Sequence, residues 1–127
     1  MPVENHSLLI SVDALLEEKM CILNGQKVLP DDELSKFLHV SITQLTSKVR
    51  ANADRFPVDF AFVISNVQYR TLFKKDAYKR SGIYVFTLAG IMQAAGLFKT
   101  KRAVDITIQL INYIAGRVDV FKMLKKS

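Results

Sequence analysis

The stretch Leu34–Phe60, LSKFLHVSITQLTSKVRANADRFPVDF, decides how the chain is read. Leu34, Phe37 and Leu38 recur at the spacing of one buried helical face. Asp31, just ahead of them, is expected to cap that helix, and Asp32 and Glu33 suit the positive end of its dipole. His39-Val40-Ser41 then reads as a tight turn, His being among the non-glycine types enriched at positive φ. In a second helix Ile42, Leu45, Val49 and Ala53 share one stripe, so at about 100° per residue Gln44, Ser47 and Ala51 point the opposite way. Lys48 flanks that outward face on one side, and Thr43 and Arg50 flank it on the other. The pattern is that of a helix-turn-helix whose second helix can enter the major groove of duplex DNA.

Charge supports the same reading. Residues 1–33 carry 7 acids and 2 bases, whereas residues 34–127 carry 5 acids and 16 bases, so net charges of −5 and +11 make up the total of +6. A basic surplus of that size attracts polyanions, of which nucleic acid is the most common.

With 127 residues, 50% of them hydrophobic and 24% charged, the chain suits one soluble globular domain rather than two. The apolar run Ile83 to Ala95 is broken by Thr87, Gly90 and Gln93 and is too short to span a membrane, so no membrane partner is expected. The acidic beginning Met-Pro-Val-Glu-Asn-His lacks the basic region of a signal peptide. Cys21, the single cysteine, cannot form an internal disulfide and fits a reducing, cytoplasmic location. His6 and His39 are far apart, and no HExxH, CxxC, GxSxG, Walker A or GxGxxG spacing occurs. No catalytic residue, metal site or cofactor is therefore expected, and the chain is read as a non-enzyme.

Along the chain, Ser7 to Lys19 reads as an amphipathic helix through Leu8, Leu9, Val12, Leu15 and Leu16. Asn24-Gly25 favours a type I′ hairpin turn between Cys21-Ile22-Leu23 and Gln26–Leu29, and Pro30 closes the second strand. After a turn at Pro57, the reading gives a strand from Phe60 to Ile64, a helix capped by Ser65 through Phe73, and a strand from Ile83 to Phe86. Thr87 is expected to cap a helix to about Gly96, and Thr100 a last helix from Lys101 to at least Gly116.

These pieces together resemble the phage "ORF six N-terminal" domain, a DNA-binding module related to the KilA-N and Bro-N domains. The resemblance rests on Asn24-Gly25-Gln26-Lys27-Val28, on Leu45, Val49-Arg50 and Asn52, and on Arg55-Phe56-Pro57-Val58-Asp59-Phe60-Ala61-Phe62. Phe86-Thr87 with Gly90 and Thr100-Lys101-Arg102-Ala103-Val104 complete it. It implies a single small α+β domain with short β-hairpins, a helix-turn-helix-like pair and C-terminal helices. The implied divisions are an N-terminal helix and lead-in at 1–21, a KilA-N-like DNA-binding domain at 22–116, and a basic tail or helix extension at 117–127. It also implies a phage or prophage-type regulator or antirepressor, either a stand-alone domain or part of a longer protein. Thr46, Ala51, His39 and Leu88 stand where the family usually has Asn, Arg, Gly and Glu, and losing that arginine removes one potential DNA contact.

The expected DNA-binding residues are Thr43, Gln44, Ser47, Lys48, Arg50, Lys74, Lys75, Lys79, Arg80, Lys101 and Arg102. Arg50 can read guanine bidentately and Lys48 can supply a phosphate charge. Gln44 can read adenine, or can fold back in a capping box with Ser41. The loop holding Lys74, Lys75, Tyr78, Lys79 and Arg80 is either a mobile basic wing or an exposed solubilising loop. Lys101 and Arg102 oppose the dipole at a helix start, a conflict relieved by a phosphate or by Asp105. The last helix is apolar on more than one face. It either pairs two copies into a homodimer, extended by Val118, Phe121 and Leu124, or lies centrally within one domain. The partner is double-stranded DNA or, alternatively, a repressor or other protein met by an antirepressor-like interaction module.

Overall fold

Asn24 and Gly25 both hold positive φ, 53° and 80°, as a type I′ turn requires, and its twist matches a two-stranded hairpin. They join β1 (Cys21–Leu23) to β2 (Gln26–Pro30), with Leu23 opposite Gln26. The structure, a computed structural model, describes residues 11–77 and 80–118, with side chains no further than Gly116. The sheet continues from the hairpin through β4 (Ile83–Phe86) to β3 (Ala61–Ile64), in the order β1-β2-β4-β3 with every neighbouring pair antiparallel.

Helices α1 (Val12–Glu18), α2 (Asp31–Leu38), α3 (Ile42–Ala51), α4 (Asn66–Phe73), α5 (Leu88–Ala95) and α6 (Lys101–Val118) complete an α+β domain. Alternation along the strands divides the core. Leu29, Ala61 and Phe86 face α1, α2, α3, α5 and α6, while Val28, Ile64, Ile83 and Val85 face Tyr69 of α4. Each fully buried Leu, Ile or Phe contributes on the order of 1.5–3 kcal/mol, so the larger cluster holds the α2–α3 pair to the sheet.

Several boundaries are set by local hydrogen bonding. Ser41 and Ser65 each form a reciprocal capping box, with Gln44 and Gln68. Helix α2 closes at His39, whose φ of 61° is left-handed. Its N–H donates to Lys36 O at 3.2 Å, and Val40 N–H donates to Ser35 O at 3.0 Å, a Schellman closure. Thr87 Oγ1 accepts from Gly90 N–H at 3.3 Å and donates to Asp59 O at 2.8 Å. A Cβ on Gly90 would stand 1.9 Å from the Phe60 carbonyl oxygen, so only glycine lets α5 lie this close to the chain entering β3.

Three expectations need correction. Pro30, still paired with Val85, is the extended N-cap of α2 without a side-chain acceptor, so Asp31 is the first helical residue rather than the cap. Ala53 is exposed and leaves the stripe of Leu45 and Val49, because α3 stops at Ala51. There Asn52 Nδ2 donates to Lys48 O at 2.8 Å and the chain passes into a 3-10 turn, Ala53–Arg55. Ser11 is extended and caps a helix that begins at Val12 and ends at Glu18, so the helix read from Ser7 to Lys19 is not continuous, and its part before residue 11 lies outside the described residues. Leu8, Leu9 and His6 lie outside the described residues, as do Tyr78, Lys79 and the segment with Phe121 and Leu124.

Candidate nucleic-acid interface

Helix α3 buries Leu45, Thr46 and Val49 and exposes Thr43, Gln44, Ser47, Lys48, Arg50 and Ala51. The outward face therefore offers two hydroxyls, an amide and two cations on a rigid helix, groups suited to base edges and phosphates. Gln44 is partly committed, since its Oε1 accepts from Ser41 N–H at 2.8 Å, which favours the capping-box reading.

Each side of this face has its own surroundings. Arg50 and Thr43 border a cleft of about 630 Å³ that also includes Arg80, Ser81 and Tyr84, and so joins α3 to the start of β4. On the other side the Lys48 ammonium lies 6.0 Å from the centre of the Phe98 ring, at the connection from α5 to α6. That distance suits a cation–π contact. Next to Phe98, Lys99 is exposed, and the Lys101 side chain is 87% exposed despite its 3.1 Å contact with Asp105. Lys99 was not among the residues singled out from the sequence, although the run Lys99-Thr100-Lys101-Arg102 is a visible basic signal.

The loop after α4 differs from a mobile wing at Lys75 and Arg80. Lys75 Nζ meets Asp32 Oδ2 at 2.8 Å and Glu33 Oε2 at 2.5 Å. Arg80 Nη1 lies 2.9 Å from Asp31 Oδ1 while its Nη2 meets Oδ2, and Asp31 is wholly buried. Tyr69 Oη donates to Asp32 Oδ2 at 3.0 Å and Tyr84 N–H donates to Asp31 Oδ2 at 3.2 Å. Buried carboxylates require such partners, and the first turn of α2 thus draws the loop's cations inward. Burial opposes the Lys75 charge, yet hydrogen bonds to Asp32 and Glu33 hold its pKa above the ordinary value. The hydrogen bond to Asp31 likewise raises that of Arg80. Burial, reinforced by the Asp32 charge, pushes the Tyr69 phenol up to about 12.

Lys74 is exposed and closes α4 at a φ of 57°. Arg102, for which a phosphate or Asp105 was the expected partner, donates from Nε to Phe37 O at 2.8 Å and stacks 5.4 Å from the Phe37 ring. It fastens the start of α6 to α2, and its burial lowers its pKa. The structure therefore brings Thr43, Arg50 and Arg80 to one side of α3, and Lys48 and Lys101 towards the other. Lys74 belongs to the loop on the far face of the sheet.

Among the described residues, no group of three or more His, Cys, Asp or Glu side chains could hold a metal ion. No described helix is long and apolar enough to cross a membrane. Residues 18–97 match the family model of the ORF6N domain, a segment containing the hairpin, α2 and α3, the Arg80–Asp31 pair and α5. No curated protein and no solved structure matches the chain significantly. With more than half of its length matched, the chain belongs to the ORF6N-domain family.

Proposed function

We propose that this chain is the DNA-binding domain of a phage or prophage-type regulator, acting without catalysis in the cytoplasm. In this reading α3 enters the major groove and reads bases through Arg50, with Thr43, Ser47 and Gln44 beside it. Lys48, Lys99 and Lys101 hold phosphates on one side of the helix. The observation that carries the reading is the exposed polar face of α3 with cations on both sides. Gel-shift titration against random duplexes at several salt concentrations tests it. Neutralising about four to six phosphates gives a log–log salt slope of about −4 to −5, whereas a slope near zero, or no binding at low salt, rejects it.

An antirepressor-like role, in which the domain meets another protein, is the second reading. It is favoured by Val104, Ile108 and Ile111, apolar side chains left exposed on α6. A pair of domains joined there would also offer two copies of α3 to half-sites about one helical turn apart.

A further inference from the structure

Helix α6 has two apolar faces on opposite sides. Ala103, Ile106 and Leu110 are buried in the core, while Val104, Ile108 and Ile111 are 51%, 53% and 51% exposed. At about 100° per residue, the exposed three and Ala115 lie diametrically opposite Ile106. Their spacing of four, three and four residues is the seam spacing of two packed helices. The stripe covers about 16 Å of helix. It also follows the segment matched by the family model, which ends at residue 97.

We propose that this stripe pairs with the same stripe of a second copy, antiparallel about a two-fold axis, in a contact that is weak in solution and completed when both copies bind one duplex. The antiparallel register sets Ile108 against Ile111 of the second copy and Val104 against Ala115 of the second copy, so the seam is self-complementary. A parallel pair would instead set Lys101 against Lys101, and charge selects against it.

The exposed area determines the strength. Two facing stripes bury on the order of a few hundred Å², well below the roughly 1,000 Å² of a stable interface. Each copy also carries a formal net charge of +6, which opposes pairing in free solution. A duplex neutralises that charge and holds the copies at high local concentration, so the small seam then acts as cooperativity. The DNA half of this proposal rests on the reading given above, whereas the seam itself does not.

Two measurements separate these parts. In sedimentation without DNA, in salt that screens the charge, the wild-type chain is a 14.4 kDa monomer at about 10 µM and forms dimers at several hundred micromolar. Ile108→Asp, and independently Ile111→Asp, remain monomeric throughout. On a duplex of about 30 base pairs the wild type binds cooperatively. Ile108→Asp loses the cooperativity while its affinity for a duplex too short for two copies stays within about twofold. A wild type that never dimerises at high concentration, or variants that dimerise equally, overturns the seam. Dimerisation abolished by the substitutions, with no binding to any duplex, upholds the seam and rejects the DNA reading. Cooperative binding unchanged by Ile108→Asp overturns the coupling of seam to DNA.

Discussion

Arg80 and Asp31 stand 49 residues apart in the sequence, yet their side chains meet fork to fork, with Arg80 Nη1 2.9 Å from Asp31 Oδ1. Asp31 opens α2 and has no exposed surface, while Arg80 precedes β4 and borders the cleft beside α3. One ion pair therefore ties the loop, the sheet and the helix pair together.

Removing one partner of that pair should cost far more than removing a surface charge. Arg80→Ala leaves a buried carboxylate without its counter-ion and is expected to destabilise the fold by about 3–5 kcal/mol. Replacing both, as Arg80→Met with Asp31→Leu, should recover part of the loss, since desolvation of the pair is then avoided while Tyr84 N–H loses its acceptor. Urea unfolding of the three proteins checks this. A loss below about 1 kcal/mol for Arg80→Ala would place the pair in solvent.

The same network predicts an alkaline weakness. The Tyr69 phenol is raised from 10.0 to about 12 in the folded chain, so the folded state keeps a proton that the unfolded chain releases. Stability from this group is complete below pH 10 and is lost as pH rises towards 12. Lys75, also raised, acts in the same direction. The urea midpoint should fall between pH 10 and 12, and Tyr69→Phe should fall less steeply over that window. Equal slopes for both proteins would show that Tyr69 does not titrate differently on folding.

His39 offers a gain in stability. A side chain at a φ of 61° crowds its own backbone, and glycine does not, although glycine loses more entropy on folding. His39→Gly should stabilise the domain by about 0.5–1 kcal/mol, visible as a higher midpoint at unchanged urea dependence. A lower midpoint would mean that the His39 side chain contributes contacts outweighing the strain.

Local chemistry made much of this fold legible. The turn at Asn24-Gly25, the caps at Ser41, Ser65, Thr87 and Thr100 and the left-handed His39 each depend on residues within a few positions of one another. The outward face of α3 was legible for the same reason, because helical periodicity fixes it. Partners distant in sequence were not. Nothing near Lys75 or Arg80 indicates that their counter-ions lie at Asp31, Asp32 and Glu33, and a basic loop looks alike whether it is free or held. Arg102 was hidden in the same way, since its acceptor is a backbone carbonyl of Phe37, which no side-chain pattern announces. Ala53 fitted the α3 stripe by spacing and missed it because Asn52 turns the chain first.

The positions around α3 divide into reading and holding, and substitutions should separate them. Arg50 projects from the outward face, where a guanidinium can bond guanine O6 and N7 together. Arg50→Ala should therefore cost about 1–3 kcal/mol on a preferred site and less on random DNA, lowering the ratio between them. Lys48 and Lys99 lie by the Phe98 connection, to one side of that face, and are suited to phosphates. Lys48→Ala with Lys99→Ala should weaken preferred and random duplexes alike and flatten the salt slope by about two. Lys75→Ala, with its charge already taken by Asp32 and Glu33, should alter unfolding more than the salt slope. Binding titrations of the variants on both duplexes at several salt concentrations give all these quantities. If Arg50→Ala leaves the ratio intact while Lys48→Ala with Lys99→Ala lowers it, reading occurs at the Phe98 side and the assignment of α3's two flanks is reversed.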